Sequence, residues 1–218
     1  MRIQTAIFHG PSGSGKDTQL DLLAKKVDYK RIAASSVMEE LKKEGSELAL
    51  RAEEYGKRGE LYPDEFVYEM FDTWVSRLDP EAKWFFVSPV RKSTQIRHFD
   101  DLMVKYSRKL ELFVHFDLSD EAAIERMSLR SYCPICRATY HSKYKPEKNE
   151  GLCDNDGAKL LHREDDSPEA IKKRLSWYRD DIDPILAEYE SRGLLLRVDA
   201  APSIQEIHST LLKKLLVL

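Results

Sequence analysis

The chain has 218 residues, of which 33% are charged and 42% hydrophobic, and its formal net charge is −3. This length fits one α/β domain with insertions or two small domains. Charges of both signs are spread along the chain, which argues against a basic nucleic-acid-binding face and predicts no nucleic-acid partner. The apolar runs are too short to span a membrane and the N-terminus has no long apolar region, so we expect a cytoplasmic protein without a membrane partner.

Short apolar runs predict the strands of a parallel sheet that is buried on both faces. They cover residues 3–8, 29–33, 84–87, 112–116 and 194–198. Helical spacing predicts helices at 18–26, 36–45, 46–58, 64–78, 94–107, 121–128, 168–192 and 204–218. The alternation predicts the α/β class: a P-loop NTPase-like, doubly wound parallel sheet of about five strands that binds ligands at the carboxyl ends of its strands.

A glycine-rich loop follows the first predicted strand. Residues 10–18 read Gly-Pro-Ser-Gly-Ser-Gly-Lys-Asp-Thr. Glycine has no Cβ, so several backbone N–H groups can converge on an anion, and the next helix begins where negative charge is favoured. The loop therefore predicts a nucleotide-phosphate site, with Lys16 reaching the outer phosphates.

The three cysteines of the chain lie in one module between residues 130 and 162. Two C-x2-C-like pairs separated by sixteen residues can place four donors around zinc: Cys133, Cys136, Cys153 and Asp156. A disulfide would leave one cysteine over, and the cytosol keeps thiols reduced. Asp154 and His141 are alternatives to Asp156 as the fourth ligand. A closed shell of four ligands predicts a structural Zn2+ that rigidifies a small flap.

Arginine residues border both the phosphate loop and the cysteine module. They are Arg91, Arg126, Arg130, Arg163 and Arg174. Planar guanidinium groups hold phosphate oxygens bidentately, and phosphoryl transfer is catalysed mainly by positioning and charge stabilisation. This set predicts a site for phosphoryl transfer.

With these motifs in order, the chain resembles the adenylate kinase, or nucleoside monophosphate kinase, family, and specifically its members with a zinc-bearing lid. The resemblance covers nearly the whole length. Its further landmarks are Gly45-Ser-Glu-Leu48, Gly59-Glu-Leu61 with Asp64, Arg91 with Gln95, Arg126 with Arg130, Arg163-Glu-Asp-Asp166 and Arg174-Leu175.

The resemblance implies a kinase that moves the γ-phosphoryl group of Mg-ATP to a nucleoside monophosphate, most simply AMP, in a monomer. It implies a core (1–33, 64–129 and 164–218), an acceptor-binding domain (34–63) and a zinc-binding lid (130–163). The implied catalytic residues are Lys16, Arg91, Arg126, Arg130, Arg163 and Arg174. The implied ATP-binding residues are Gly13, Ser14, Gly15, Lys16, Asp17, Thr18, Arg126 and Arg130. The implied acceptor-binding residues are Ser36, Glu39, Leu61, Arg91, Gln95, Arg163 and Arg174.

The chain departs from the family pattern at two places in the acceptor half. Glu39 stands where the family has an arginine that grips the acceptor's phosphate, and Val87 stands where it has an acid that orders the water shell of magnesium. Lys42, Lys43 or Arg51 could be recruited in place of that arginine. Alternatively, the acceptor carries less negative charge than a nucleoside monophosphate.

These departures leave two questions open. Asp17 occupies the usual position of a magnesium-binding hydroxyl, and its carboxylate either takes the place of the missing acid or caps the helix. The overall activity also has two alternatives to an AMP kinase: a kinase with another acceptor, for which Glu39 is the general base, and a non-catalytic ATP-binding sensor.

Overall fold

The computed structural model describes residues 3–58, 62–136, 138–162 and 166–217. The strands are β1 (Thr5–His9), β2 (Lys30–Ala33), β3 (Trp84–Val87), β4 (Leu112–Asp117), β5 (Arg130–Tyr132), β6 (Thr139–His141) and β7 (Leu195–Asp199). The helices are α1 (Lys16–Ala24), α2 (Ala34–Lys43), α3 (Glu47–Arg58), α4 (Asp64–Val75), α5 (Gln95–Lys105), α6 (Asp120–Ser128), α7 (Pro168–Ser191) and α8 (Ile204–Val217).

Five strands form one parallel sheet in the order β2-β3-β1-β4-β7. The central strand, β1, is buried at all five positions, as its apolar run predicts. Helices connect successive strands of the sheet, so the carboxyl ends of all five strands lie at one edge. The predicted α/β class with about five strands is confirmed.

The observed bounds differ from the predicted ones where local geometry outweighs apolar spacing. Helix α1 begins at Lys16 and not at residue 18, because Gly15 in the left-handed conformation turns the chain directly into the helix. The antiparallel hairpin of β5 and β6 was not predicted. Its strands have only three residues each, too few to give a period-2 pattern.

Aromatic side chains fix the sheet against the helices on its faces. Phe86 is fully buried, and its ring contacts those of Phe71 and Phe99 at centroid distances of 6.0 and 5.1 Å. Truncating a phenylalanine in such a core to alanine costs about 3–5 kcal/mol. The carboxyl edge of the sheet is therefore a rigid platform for the loops that follow its strands.

Two buried imidazoles lie side by side at this edge. His9 and His115 are register partners in β1 and β4, with ring centroids 5.9 Å apart, and Tyr178 stacks on His9 at 5.6 Å. Burial lowers the pKa of His9 well below its usual range, and His115, Lys16 and Arg91 act in the same direction. Burial also lowers the pKa of His115 to about 4, although Asp117 opposes the shift. Both imidazoles are therefore neutral at neutral pH.

We expect the free energy of unfolding to fall as the pH drops from about 6.5 towards 4, because unfolded imidazoles take up protons that the folded ones exclude. His115, whose pKa in the folded protein is about 4, contributes a loss of about 1.4 kcal/mol per pH unit through most of this window, and His9 contributes a loss of the same sign. Between about pH 7.5 and about pH 5, the free energy of unfolding of His9→Phe should therefore fall less than that of wild type, as measured by urea unfolding. His98→Gln, outside this cluster, is the control; equal losses in wild type and His9→Phe would contradict the expectation.

Candidate functional site

The phosphate loop joins β1 to α1 and requires glycine for two different reasons. A Cβ on Gly10 would lie 2.9 Å from Ser14 Oγ and 3.0 Å from Phe116 Cβ, and one on Gly13 would lie 3.0 Å from the Ala123 carbonyl oxygen. At Gly15 there is open space, but φ is +79°. The tight packing and the left-handed turn bring the loop around the N-terminus of α1, where backbone N–H groups favour an anion.

Lys16 is the first residue of α1, and its Nζ lies 3.3 Å from the Pro11 carbonyl oxygen. Burial lowers its pKa; Asp17 opposes this shift, while the positive charges of Arg91 and Arg130 add to it. The structure thus places Lys16, Arg91 and Arg130 close enough to share one electropositive region. Ser14, which is also in the loop, has a buried hydroxyl that makes no hydrogen bond within the described part of the chain.

Asp17 lies in the first turn of α1, and its carboxylate forms an ion pair with Arg31 of β2. Arg31 also bonds Asp21 at 2.8 Å. Asp17 is not the N-cap of the helix, because that residue is Gly15. The interpretation of Asp17 as a helix cap is therefore wrong. Thr18 follows it in the same turn and is half-buried.

One acid joins two of the predicted arginines. Asp166 Oδ2 accepts from Arg130 Nε at 3.0 Å and from Arg130 Nη2 at 2.6 Å, and Asp166 Oδ1 accepts from Arg174 Nη2 at 2.9 Å. The Asp166 side chain is only 4% exposed. Sequence reasoning gave this residue no role, because an acid between charged neighbours is usually solvated. The sequence feature that could have indicated its role is its position between Arg163 and Arg174.

Arg126 is oriented differently from the other described arginines of the predicted set. Its Nη2 donates to the Ala201 carbonyl oxygen at 3.1 Å, and its guanidinium lies 5.5 Å from the centroid of the Tyr144 ring. Arg163 lies outside the described residues, as does Leu61.

A cavity of about 540 Å3 opens between α2, α4 and the segment that follows β3. Its lining comprises Ala34, Ser35, Met38, Glu39, Lys42, Tyr62, Phe66, Val67, Met70, Phe71, Ser88, Pro89, Arg91 and Gln95. Three of the predicted acceptor-binding residues line it, namely Glu39, Arg91 and Gln95. Ser36 is exposed and is not part of this lining, whereas its neighbour Ser35 is.

Gln95 is held in one orientation at the cavity wall. Its Oε1 accepts from the Arg91 backbone N–H at 2.7 Å, and its Nε2 donates to Asp64 Oδ1 at 2.7 Å. Asp64 Oδ2 accepts from the Thr94 hydroxyl at 2.8 Å, which fixes the carboxylate. The second hydrogen of the Gln95 amide has no partner among the residues that the structure describes, so it is available to a ligand.

Ser88 carries backbone strain at the same wall. Its φ is +46°, and among the described non-glycine residues only Ser107 shares a positive φ. Its buried hydroxyl makes no hydrogen bond within the described part of the chain. Val87, directly before it, is buried and pairs with Phe8 in the sheet, so the side chain that replaces the family's acid belongs to the core.

Replacing Ser88 by glycine should raise the free energy of unfolding by about 1 kcal/mol. Relief of a left-handed conformation is worth about 1–2 kcal/mol, against about 0.5–1 kcal/mol for the greater chain entropy of glycine. Urea unfolding measures the change. Ser93→Gly, at a site without positive φ, is the matched control and should be destabilising. A Ser88→Gly variant less stable than wild type would contradict the expectation.

The four predicted zinc ligands form one cluster, with their ligand atoms all within 4.8 Å of one another. Cys136 Sγ lies 3.4 Å from Cys153 Sγ, and Cys133 Sγ lies 3.3 Å from Asp156 Oδ2. The Ala158 backbone N–H holds the pKa of Asp156 down to about 2, so this carboxylate is ionised, as a metal ligand must be. The donor set fits a metal ion.

Neither alternative fourth ligand belongs to the cluster, although the buried His141 Nε2 makes no hydrogen bond within the described part of the chain. Asp154 Oδ1 accepts from the Lys148 backbone N–H at 2.9 Å, and His141 Nδ1 accepts from the Lys143 backbone N–H at 3.1 Å. Backbone N–H groups of Ile135 and Cys136 each lie 3.4 Å from Cys133 Sγ. These contacts favour the thiolate of Cys133, but burial outweighs them and raises the pKa of its thiol to about 11. Asp156 is the acid of the cluster.

Comparison with known proteins connects this geometry to a family. The adenylate kinase family model matches residues 8–194. The chain belongs to the adenylate kinase family. Similar adenylate kinases come from Acholeplasma laidlawii (33% identity over 92% of this chain and 93% of the relative), Oceanobacillus iheyensis (32%, over 95% and 99%) and Caldicellulosiruptor bescii (32%, over 96% and 97%).

Membership of the adenylate kinase family makes the chain an enzyme of the nucleoside monophosphate kinase type. Among the helices of the described ranges, none combines the length and the apolar character that crossing a membrane requires. The residues of the cavity that the sequence analysis missed are mainly apolar ones on α2 and α4. Their helical spacing indicated a buried face but not that a cavity lies against it.

Proposed function

We propose that this enzyme transfers the γ-phosphoryl group of ATP to AMP. The observation that carries the proposal is the position of Arg91, which acts on Lys16 in the phosphate loop and also lines the cavity beside Gln95. A donor phosphate at the loop and an acceptor phosphate in the cavity would therefore meet at one cationic region. Adenylate kinases are the relatives that the chain resembles over more than nine-tenths of its length.

In this proposal, Lys16 and the loop N–H groups hold the outer phosphates of ATP. Arg130 and Arg174 stabilise the transferring group, and Arg126 and Arg163 join them when the lid closes. A loose, metaphosphate-like transition state spreads charge over its oxygens, so fixed guanidinium groups lower its energy. Closure of the lid excludes water and protects ATP from hydrolysis. Arg91 holds the acceptor phosphate, and the free amide hydrogen of Gln95 bonds the acceptor base.

We assign residues 1–33, 64–129 and 164–218 to the core, 34–63 to the acceptor-binding domain and 130–163 to the lid. The metal of the lid is proposed to be a structural Zn2+, because three thiolates and one carboxylate suit zinc and leave no open position. Reduced thiols of this kind fit our proposal that the enzyme is cytoplasmic. We also propose that it is a monomer.

Mg2+ accompanies ATP and neutralises charge that develops on its phosphates. Asp17 is the acid of the described loop, and Arg31 holds it at the start of α1. We propose that this carboxylate contributes to the water shell of the ion. Asp17→Asn is then expected to raise the magnesium concentration needed for half-maximal activity, and Asp21→Asn, which breaks the other Arg31 bond, is the control. An unchanged magnesium requirement in Asp17→Asn would contradict this role.

A second candidate function is transfer to an acceptor with less negative charge. Glu39 lines the cavity, where a carboxylate repels a phosphate dianion but can accept a proton from a hydroxyl group. Glu39→Arg would abolish such an activity, whereas it would improve turnover on a monophosphate.

The deciding experiment measures ATP consumption with magnesium in the presence of AMP, CMP, UMP, GMP, dTMP or the parent nucleosides. Turnover on AMP well above that of Arg130→Ala is the expected result. Turnover on a nucleoside alone would establish the second candidate. ATP binding without turnover on any acceptor would overturn both and indicate a nucleotide sensor.

A further inference from the structure

One face of α2 forms a wall of the acceptor cavity. Ser35, Met38, Glu39 and Lys42 all line it, at spacings of three, four and seven residues. Residues at these spacings lie above one another on one side of a helix. Lys42 therefore stands one turn beyond Glu39, on the same side of α2, and reaches the same cavity.

The net charge of the cavity lining depends on Lys42. Arg91 supplies a cation from the segment after β3, and α2 supplies Glu39 and Lys42 from the other side. Without Lys42, the lining would hold one cation and one carboxylate, a neutral set facing a phosphate that carries nearly two negative charges. With Lys42, the lining has an excess of positive charge.

The other cations near α2 already have partners. Lys43 Nζ lies 2.7 Å from Glu40 Oε1 and 3.9 Å from Glu39 Oε1. Arg51 Nη1 lies 2.7 Å from Glu69 Oε1, and its guanidinium rests 5.2 Å from the centroid of the Phe66 ring. Neither residue lines the described cavity.

Lys42 differs from both. It is exposed and lines the cavity, and within the described ranges its ammonium group makes neither a hydrogen bond nor an ion pair, although its backbone carbonyl accepts from the Gly45 N–H. A flexible ammonium group with three donors binds phosphate as a point charge and needs no fixed geometry. Its side chain can therefore turn to an anion in the cavity without breaking an existing contact.

We infer that Lys42 binds the phosphate of the acceptor opposite Arg91 and so performs the task that the family gives to an arginine at the position of Glu39. This inference rests on the proposed function, because it needs a phosphorylated acceptor. If Lys42 binds the phosphate, the preference of the enzyme for a monophosphate over a nucleoside depends on α2. The same helix carries Glu39, whose negative charge opposes phosphate binding.

The test compares Lys42→Ala with Lys43→Ala, neighbouring lysines of which only the first lines the cavity. Lys42→Ala should raise the KM for AMP about tenfold, the effect of a lost charge-assisted phosphate contact, and leave the KM for ATP unchanged. Lys43→Ala should leave both values within about twofold. Lys42→Arg should restore most of the affinity, and high salt should shrink the difference between wild type and Lys42→Ala.

Thermal unfolding of all variants checks that the fold is intact, as the exposure of both lysines leads us to expect. An equal KM for AMP in Lys42→Ala and Lys43→Ala, with normal turnover by the wild type, would overturn the role of Lys42 alone. A wild type that binds ATP but turns over no monophosphate would overturn the proposed function, and the role of Lys42 with it.

Discussion

Arg130→Ala is expected to lower kcat for phosphoryl transfer to AMP by about 10³-fold, the effect of removing a guanidinium that stabilises the transition state. Arg130 acts on Lys16 of the phosphate loop and is positioned by Asp166 through bonds to both carboxylate oxygens. Since the charge that it would meet develops fully only during transfer, the KM for ATP should change much less than kcat.

Arg192→Ala is the matched control. Arg192 also bonds two carboxylates, Asp100 at 2.9 Å and Glu188 at 2.8 Å, and its side chain is 31% exposed against 25% for Arg130. It lies at the end of α7, away from the phosphate loop, so its loss should affect stability without affecting kcat by more than about twofold. A kcat for Arg130→Ala within about tenfold of wild type would remove Arg130 from the catalytic set.

Removal of zinc is expected to unfold the lid while the core remains folded. Among the described residues of the proposed lid, the hydrophobic cluster contains only Cys133, Tyr140, Cys153 and Leu160 as buried members, and two of these are proposed metal ligands. So small a core cannot offset the entropy of ordering the segment, whereas a structural zinc contributes about 10–16 kcal/mol in small zinc domains. Chelation should therefore expose the lid to proteolysis and suppress turnover, and added zinc should reverse both effects.

Two acids that are two residues apart provide the control for the ligand set. Asp156→Ala should lose the single equivalent of bound zinc under mild chelation, whereas Asp154→Ala should keep it, because Asp154 bonds the Lys148 backbone. Metal analysis of the two purified variants measures this. Retention of zinc by Asp156→Ala together with loss by Asp154→Ala would reverse the assignment of the fourth ligand.

The sheet could be predicted from sequence because its strands are continuous apolar runs, and the observed strands lie within about one or two residues of them. The hairpin of the lid could not, since strands of three residues carry no periodic signal and a metal, in our proposal, takes the place of an apolar core. Local chemistry also fixed the limits of helix α1, whose start depends on the left-handed turn at Gly15.

The candidate site could be predicted from sequence where a residue type in a given spacing is typical of one chemical role. Glycines at a tight loop, paired cysteines and clustered arginines give such signals. Asp166 and Lys42 give weaker signals. The sequence offered Asp166 only as part of a motif and Lys42 only as one of three candidate cations, because an acid or a lysine on a charged chain is usually solvated and only the fold brings each against its neighbours. The backbone strain at Ser88 could not be predicted either, because a serine in the sequence gives no indication of a positive φ.

The shared carboxylate of Asp166 has a consequence for the evolution of the chain. Because Arg130 and Arg174 both compensate one buried acid, a mutation that removes either arginine carries a stability penalty in addition to the catalytic one that we propose. The three positions should therefore change together or not at all. A descendant that had ceased to transfer phosphate would still be selected to keep both arginines, because they stabilise the fold. The presence of both arginines in a relative is therefore not by itself evidence of activity.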